Sequence, residues 1–342
     1  MNLQGRSTFL FLILLALLLV CIPRNSKILK YTQTGLFFGT QVKVDVCYES
    51  SQKEEVGKAV VAVWKRWEDI HWRMNVFNDK SDVANVNNSF RSPVKVGADT
   101  YYVIQEALHF NQLSSGVFDI TVWPLIKLWK ESAAKNQLPT PQQLTEVKKA
   151  LGPQNIYLMP DNRVQVLNKE TKIDLGGIAA GYAADEATKI LRSHGFEDFL
   201  VDTGGDFYAG GLNCSQQPWR IAIKDPFDQT KILNVVQLSN AAVSTSGDYQ
   251  QFYEIQGQRW THIMNPITGY PEKGIASATV IAPTDIEADA MATALCILGG
   301  KQGSNLIDSL GPQWASIVIT REERGAQQYE SKNYRLFTAK AN

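Results

Sequence analysis

The second half of the chain is dominated by short β-like runs separated by glycine turns. The runs follow Pro139-Thr140-Pro141 and cover residues 163–167, 199–202, 219–224, 241–245, 278–282 and 315–320. Gly-Gly pairs at positions 176, 204, 210 and 299 stand among them and are typical of tight turns. Helical segments interleave only at residues 178–194 and 285–298. The pattern predicts one α+β domain, with mixed or antiparallel sheets and flanking helices, rather than a tandem.

The first half of the chain predicts one strand followed by helices. Residues 41–48 alternate apolar and polar side chains, which is typical of a half-buried strand. Residues 53–74 repeat apolar side chains at helical spacing, and a further helix is predicted at residues 100–113. Because no linker rich in proline, glycine or serine divides the chain, we expect all these elements to share one domain.

The N-terminus carries a short apolar segment with a basic start. Arg6 precedes an unbroken apolar run at residues 9–22, about 14 residues long, which fits a signal-peptide core better than a membrane span of about 20 residues. We therefore expect residues 1–30 to be a signal peptide or an uncleaved membrane anchor, and residues 31–342 to form an exported domain. Cys21 invites lipidation, but Leu18-Leu19-Val20 places a bulky valine where lipoprotein signals usually carry a small residue.

Charge and cysteine content exclude several classes of protein. The 342 residues have a formal net charge of +0, so the chain lacks the basic field of a nucleic-acid-binding protein. Cys47, Cys214 and Cys296 are odd in number, widely spaced and without C-x-x-C spacing. The sequence therefore predicts neither a disulfide framework nor a zinc site, and we expect each of them to be a small buried residue.

The stretch DLGGIAAGYAAD at residues 174–185 joins a strand end to a helix start through glycines. It matches neither the P-loop nor the G-x-G-x-x-G fingerprint. Gly176 and Gly177 permit a sharp turn and a close backbone approach, and Gly195 is the expected stop of the helix. N–H groups at such a junction suit an anion, although a tight turn between small residues explains the same pattern.

The stretch PTDIEADAMATALCILGG, which begins at Pro283, starts a helix with a carboxylate and a hydroxyl on one face. Thr284 and Glu287 have capping-box spacing, so the helix begins there. Asp289 and Thr293 stand four residues apart, and their oxygens suit Mg²⁺. A bond from the Thr293 hydroxyl back to the Asp289 carbonyl is the alternative explanation.

Two further polar residues stand beside turns. Asp206 lies in VDTGGDFYAGG, which begins at Val201, and a hairpin turn is a sufficient explanation for it. His262 lies in WTHIMNPITGYP, which begins at Trp260. Of the four histidines, it alone sits among turn residues rather than in or beside a predicted helix.

Six sequence blocks occur in an order that resembles the ApbE family of FAD:protein FMN transferases. The blocks are GVFDITVWPLIKLW, DLGGIAAGYAAD, VDTGGDFYAGG, STSGDYQQF, THIMNPITGYP and IEADAMATAL. In addition, MNVFNDKSDVANVN resembles the segment that opens the family's catalytic domain. The resemblance covers residues 38–298, most of the part predicted to be exported.

The resemblance implies an exported, Mg²⁺-dependent enzyme on the periplasmic side of the inner membrane, either membrane-anchored or secreted. It would split FAD at the pyrophosphate, transfer FMN to a threonine or serine of a subunit of a membrane redox complex, and release AMP. Some family members instead hydrolyse FAD to FMN and AMP, which makes an FAD pyrophosphatase one alternative. A non-enzymatic exported flavin-binding protein is the other, although such a carrier needs neither a metal nor a base.

The family's site residues carry over onto matching positions of this chain. The metal ligands would be the backbone carbonyl of Gly177 and the side chains of Asp289 and Thr293, and His262 would act as the base. The flavin contacts would be Phe38, Phe77, Val117, Phe118, Asp119, Asp174, Ala180 and Ile263. Two positions depart from the family pattern. Ala180 stands where many relatives have lysine or glutamate, and Asn265 stands where many have aspartate, so an ionic role at either position is in doubt.

Overall fold

The computed structural model describes residues 27–248, 252–322 and 325–339. The apolar run at residues 9–22 and Cys21 lie outside these ranges, so the signal, anchor and lipidation hypotheses stay predictions. Within the described ranges, no helix has both the length and the apolar character needed to cross a membrane.

The strands of the described residues form one large sheet and three small ones. In chain order they are β1 (Ile28–Phe37), β2 (Thr40–Glu49), β3 (Val94–Lys95), β4 (Ile156–Met159), β5 (Arg163–Val166), β6 (Phe199–Asp202), β7 (Asp206–Gly210), β8 (Trp219–Lys224), β9 (Ile232–Leu238), β10 (Ala241–Gly247), β11 (Phe252–Ile255), β12 (Gln258–Thr261), β13 (Ile275–Ala282), β14 (Ala315–Glu322) and β15 (Gly325–Glu330). The large sheet has the order β1-β2-β6-β7-β10-β13-β14-β15, and all its neighbouring strands are antiparallel. The small sheets are β3-β5-β4, β8-β9 and β11-β12.

The helices of the main core cover one face of the large sheet. In chain order they are α1 (Lys53–Met74), α2 (Asp82–Asn88), α3 (Ala98–Leu113), α4 (Trp123–Ala134), α5 (Pro141–Lys148), α6 (Ala179–Ser193), α7 (Asp285–Leu298), α8 (Gly300–Leu310) and α9 (Tyr334–Phe337). The capping box of Thr284 and Glu287 is present at the start of α7, as predicted. The stop predicted at Gly195 is also present, because this glycine adopts φ +83° directly after the C-cap of α6.

Two hydrophobic clusters sandwich the large sheet. On one face, Val44, Val201 and Val280 pack with apolar side chains of α1, α6 and α7 in the main core. On the other face, Val243 and Ile317 pack with side chains of the β8-β9 hairpin. Because both faces are covered, the central strand β13 is buried along nearly its whole length, and the described part is an α+β fold, as the sequence predicts.

A third, smaller cluster holds the β11-β12 hairpin against α4 and α5. Trp129 of α4 stacks near Trp260 of β12, with ring centroids 4.9 Å apart, and its indole N–H donates to the Gly269 carbonyl. Leu125 and Leu144 complete the contact from the helices. This packing fixes the end of β12, and His262 follows immediately.

The predicted boundaries agree with the structure at most of the elements that the sequence identified. The helix predicted at residues 53–74 and the strands predicted at 199–202 and 219–224 have these same bounds. The sequence missed β1, which begins at Ile28, inside the segment assigned to the leader. It also missed the helices α2, α4, α5, α8 and α9 and the strands β3, β4, β7, β9, β11, β12 and β15, and with α8 a third helix interleaves among the later strands.

The prediction for two of the cysteines is wrong. Cys47 of β2 and Cys214, in the loop after β7, form a disulfide across a sequence separation of 167 residues. The hairpin of β6 and β7 lies beside β2, and the Cys47 N–H donates to the Asp198 carbonyl just before β6. Spacing along the chain could not reveal a contact that the sheet order creates. Cys296 is free and buried, as predicted.

Candidate active site

One cavity of about 570 Å³ opens between the large sheet, α1, α4, α6 and α7. Every site residue predicted from the sequence lines it, and these residues are Phe38, Phe77, Val117, Phe118, Asp119, Asp174, Gly177, Ala180, His262, Ile263, Asp289 and Thr293. They come from segments more than 250 residues apart in the chain. The fold therefore brings the predicted set together, while the role of each member stays a prediction.

The start of the glycine stretch forms a tight turn against the cavity wall. The Asp174 N–H donates to the Ile120 carbonyl, and Asp174 Oδ1 accepts the Gly176 N–H at 3.0 Å. A side chain at Gly177 would meet Thr293 Oγ1 at 3.5 Å and Phe118 at 3.6 Å, which is ordinary contact. Gly177 therefore places its backbone beside Thr293.

The close approach that the sequence assigned to Gly176 and Gly177 occurs instead at Gly181, inside the first turn of α6. A Cβ atom there would lie 2.4 Å from the Asp285 carbonyl oxygen and 2.9 Å from Asp289 Cβ. Real Cβ atoms do not approach backbone atoms this closely, so only glycine lets the first turns of α6 and α7 touch. The sequence could not separate this packing requirement from a turn requirement.

The two helices cap each other's N-termini. Asp289 of α7 accepts the Gly181 N–H of α6 at 3.1 Å. In return, Asp185 of α6 accepts the N–H groups of Asp285 and Ile286 of α7 at 2.8 and 3.0 Å. Each carboxylate satisfies N–H groups that a helix start leaves unpaired, and it lies at the positive end of the helix dipole. This exchange fixes Asp289 at the cavity wall.

Asp206 belongs to the cavity as well, although sequence reasoning assigned it to a hairpin turn. It is the first residue of β7, and its carboxylate accepts the hydroxyl hydrogen of Ser244 in the neighbouring strand β10. The signal that could have found it is an aspartate at a strand start directly after a glycine pair.

Several buried carboxyl groups lie close together around Asp289. Burial, followed by the charge of Asp206, raises the pKa of Asp289 well above its usual value. Burial also raises the pKa of Asp206 and raises that of Asp185 to about 7. Asp285 is fully buried, neither of its carboxyl oxygens has a hydrogen-bond partner in the described structure, and burial raises its pKa strongly. The protein alone thus disfavours full ionisation of this cluster.

The predicted metal ligands are oxygen atoms on adjoining elements. The Thr293 hydroxyl lies 3.4 Å from the Ser246 hydroxyl of β10, rather than bonding back to the Asp289 carbonyl. Within the described ranges, no three or more His, Cys, Asp or Glu side chains are grouped as a metal site. The predicted set includes one such side chain, Asp289, so its donors are mainly neutral oxygens.

The predicted flavin contacts form the more apolar part of the cavity. Phe38 adopts φ +53°, and its N–H donates to His71 Nδ1 at 3.3 Å. Asp119 is buried, and its Oδ1 accepts both the N–H and the hydroxyl hydrogen of Thr121. Burial raises the pKa of Asp119. Part of its hydrogen-bonding capacity therefore holds the local turn rather than a ligand.

Phe77 and Trp123 form an aromatic pair at the cavity wall, and Lys130 lies near both rings. Sequence reasoning identified neither Trp123 nor Lys130. The rings of Phe77 and Trp123 meet edge to face at 5.3 Å, and Lys130 Nζ lies 5.3 Å from both ring centroids. Phe77 is 71% exposed, so its ring is available to a bound molecule. In the described structure, Lys130 is the only lysine or arginine that lines the cavity.

The neutral side chain of Asn265 has a structural explanation. Its Oδ1 accepts the N–H groups of Ile267 and Thr268, which closes the turn after His262. Its Nδ2 donates to Glu272 Oε2 at 2.9 Å. An aspartate could keep the first two contacts but would face Glu272 with a second carboxylate.

Comparison with known proteins gives a consistent result. The pattern of the ApbE family matches residues 38–318. A curated FAD:protein FMN transferase from Vibrio cholerae is 31% identical over 278 residues, which cover 80% of this chain and 82% of that protein. A protein of the same name from Escherichia coli K12 is 32% identical over 272 residues, covering 77% of each.

Solved structures show the same similarity. The flavin transferase ApbE from Vibrio cholerae aligns with a TM-score of 0.81 at 27% identity, covering 91% of this chain and 99% of that one. The ApbE protein from Thermotoga maritima aligns with a TM-score of 0.82 at 32% identity, covering 91% and 100%. The similarity therefore extends beyond the predicted end at residue 298 into β14.

Proposed function

This chain belongs to the ApbE family, and we propose that it moves FMN from FAD to a protein hydroxyl with the help of a divalent cation held where α6 meets α7. The chain is an FAD:protein FMN transferase, because curated proteins of that name match 80% and 77% of its length. The family resemblance carried by the six sequence blocks is thereby confirmed. We propose Mg²⁺ as the cation, since it prefers oxygen ligands.

The observation that carries the cation proposal is the charge of the cavity. Of the described residues lining it, only Lys130 is a lysine or arginine, whereas Asp119, Asp174, Asp206 and Asp289 all carry carboxyl groups. The pyrophosphate of FAD is anionic, so binding it beside ionised carboxylates brings like charges together. A dication between them turns this repulsion into attraction.

The donor atoms fit such a cation. Asp289 supplies a carboxylate, Thr293 a hydroxyl and Gly177 a backbone carbonyl, and all three residues line the cavity. The Asp289 carboxylate has one N–H partner, from Gly181, which leaves it further capacity as an acceptor. Hard oxygen donors of these kinds are those that Mg²⁺ takes, together with phosphate oxygens of the substrate.

The protein contributes orientation and proton transfer. When bound, Mg²⁺ supplies Lewis-acid stabilisation of the charge that develops on the phosphate oxygens. Phe38, Phe77 and Ile263 are proposed to bind the flavin and to orient its phosphate. His262 is proposed as the base, with a ring nitrogen that accepts the proton of the acceptor hydroxyl. A base of this kind contributes roughly 10²–10⁴-fold to the rate.

The bond changes follow directly. The acceptor oxygen forms a bond to the phosphorus of the FMN half, and the bond from that phosphorus to the bridging oxygen of the pyrophosphate breaks. The bridging oxygen leaves with AMP. We propose a threonine or serine on a subunit of a membrane redox complex as the acceptor.

We also propose that the catalytic domain acts outside the cytoplasm. The apolar run at residues 9–22 motivates this hypothesis. The disulfide between Cys47 and Cys214 supports it, because disulfides persist in oxidising compartments such as the periplasm. Membrane attachment through the N-terminal segment and lipidation of Cys21 remain hypotheses, and a reporter fused after Lys30 tests the export.

The transfer reaction is tested by incubating the purified protein with FAD, Mg²⁺ and a candidate flavoprotein subunit. We expect mass spectrometry to show the subunit heavier by one FMN group and an equal amount of AMP. FMN and AMP without a modified subunit would indicate an FAD pyrophosphatase. FAD that stays intact and bound would indicate a flavin carrier, and either result would overturn the proposal.

A further inference from the structure

Strand β10 contacts both Asp206 and Thr293. Asp206 pairs in register with Ser244, whose hydroxyl donates to the Asp206 carboxylate. Two residues further along the same face, Ser246 contacts Thr293. Residues two apart in a strand are separated by about 7 Å and point to the same side. The Asp206 carboxylate and Thr293 therefore lie on the same side of β10, and both line the cavity together with Asp289.

The glycine turn before β7 does not need the Asp206 side chain. Asp202 closes this turn, because its Oδ1 accepts the N–H groups of Gly204 and Gly205 at 2.9 and 3.1 Å. The Asp206 side chain points instead into the cavity. Closure of the turn therefore does not explain why residue 206 is an aspartate, and the proposed reaction assigns no role to its carboxyl group.

A further buried acid belongs to the same group of carboxyl groups. Asp285 is fully buried in the first turn of α7, and both its carboxyl oxygens lack partners in the described structure. After burial, the charges of Asp206, Asp185 and Asp289 contribute most to raising the pKa of Asp285. A buried carboxyl group that has no hydrogen-bond partner and lies near other carboxyl groups lowers the stability of the fold when it is ionised. A positive charge nearby reduces this cost.

We propose that Asp206 is a further residue that binds the divalent cation, and that it shares this cation with Asp289. The inference rests on the cation site proposed above and adds a carboxylate to it. Two carboxylates balance the charge of a dication, whereas Asp289 alone leaves one positive charge uncompensated until the substrate binds. Asp206 is thus expected to set the affinity for the metal before FAD arrives.

The experiment measures Mn²⁺ binding to the purified full chain without FAD, by electron paramagnetic resonance of the free ion. Asp206→Asn keeps the size of the side chain and an acceptor for Ser244 but removes the charge. Asp202→Asn is the matched control, because it removes a charge from the same loop while its Oδ1 can still close the turn. Thermal melting in EDTA checks that each variant is folded.

We expect Asp206→Asn to weaken Mn²⁺ binding at least tenfold and Asp202→Asn to change it less than twofold. If Asp206→Asn does not fold, Asp206→Glu keeps the charge but moves the carboxylate, and it is expected to weaken binding severalfold. Wild-type affinity in the Asp206 variant, or an equal loss in both variants, would overturn the inference and leave the cation site of Asp289 standing. A wild-type chain that binds no Mn²⁺ would overturn the cation site as well.

Discussion

Replacing Asp289 by alanine tests the cation site directly. The side chain is 6% exposed and accepts one hydrogen bond, from the Gly181 N–H. It is also the only side chain with a full negative charge among the ligands carried over from the family. We expect Asp289→Ala to abolish FMN transfer and to leave the fold intact.

The structure allows the effect on stability to be bounded. Loss of the acceptor leaves the buried Gly181 N–H unpaired, which costs about 1–3 kcal/mol. In the other direction, burial and Asp206 raise the pKa of Asp289, so an ionised Asp289 is itself unfavourable, and its removal recovers free energy. The two effects oppose each other, so without metal the free energy of unfolding should change by less than about 3 kcal/mol, against a total of roughly 5–15 kcal/mol.

The response to Mg²⁺ is the sharper observable. A cation present at 100 times its dissociation constant stabilises the folded wild-type chain by about 2.7 kcal/mol, which raises Tm by about 4 °C at this chain length. Asp289→Ala should show no such rise, and Asp289→Asn, which keeps an acceptor for Gly181, should also lose it. The assay is thermal melting and FMN transfer across a Mg²⁺ titration, with circular dichroism as the control for folding. A wild-type Tm rise or wild-type activity in Asp289→Ala at low Mg²⁺ would refute the reasoning.

Further changes probe the base, the cluster of acids, the turn and the disulfide. His262→Ala should lower kcat by roughly 10²–10⁴-fold and leave the Kd for FAD within a fewfold, as measured by calorimetry; equal transfer rates would remove His262 from the mechanism. Burial raises the pKa of Asp185 from 3.8 to about 7. The stabilising effect of protonated Asp185 is therefore fully present below pH 3.8 and is lost as the pH rises through 7. Asp185→Asn should therefore flatten the fall in stability between pH 4 and 7 by up to about 1.4 kcal/mol per pH unit in EDTA melts, and an unchanged slope would contradict this assignment. Asn265→Asp should cost about 1 kcal/mol at pH 7, because a second carboxylate oxygen replaces the Nδ2 group that donates to Glu272; an unchanged midpoint in denaturant titrations would refute the contact with Glu272. Replacing Cys47 and Cys214 together by alanine should lower stability by about 2–5 kcal/mol in denaturant titrations, whereas an unchanged midpoint would show that the bridge is not formed in solution.

Local signals predicted the longest helices and several strands of the large sheet. The helix of residues 53–74 has a continuous apolar face, and the start of α7 has its capping box, so both ends of these helices were readable from the sequence. The missed strand β1 shows half-buried residues alternating with exposed ones along its whole length. As an edge strand it buries little apolar surface, and its pattern was therefore too weak to separate it from the leader.

The site was predicted from the order of its sequence blocks, and physical reasoning on single residues did not find it. Asp289 and Thr293 alone also permitted a local hydrogen bond within the helix, whereas in the described structure the Thr293 hydroxyl contacts that of Ser246. Asp206 was assigned to a turn that Asp202 in fact closes. Lys130 and Trp123 gave no signal at all, because their position depends on how α4 packs beside the loop that carries Phe77.

The contact between α6 and α7 explains how one small region serves both stability and chemistry. Gly181 allows the helices to touch, and each helix then receives a carboxylate at its N-terminus, Asp289 for α6 and Asp185 for α7. The N–H groups and dipoles of the two helix starts offset part of the cost of burying these acids, but the raised pKa values show that the offset is incomplete. The remaining electrostatic cost falls when a dication binds, since its charge favours the ionised acids. The arrangement that makes the metal-free chain less stable at neutral pH is therefore the one that makes it bind a divalent cation.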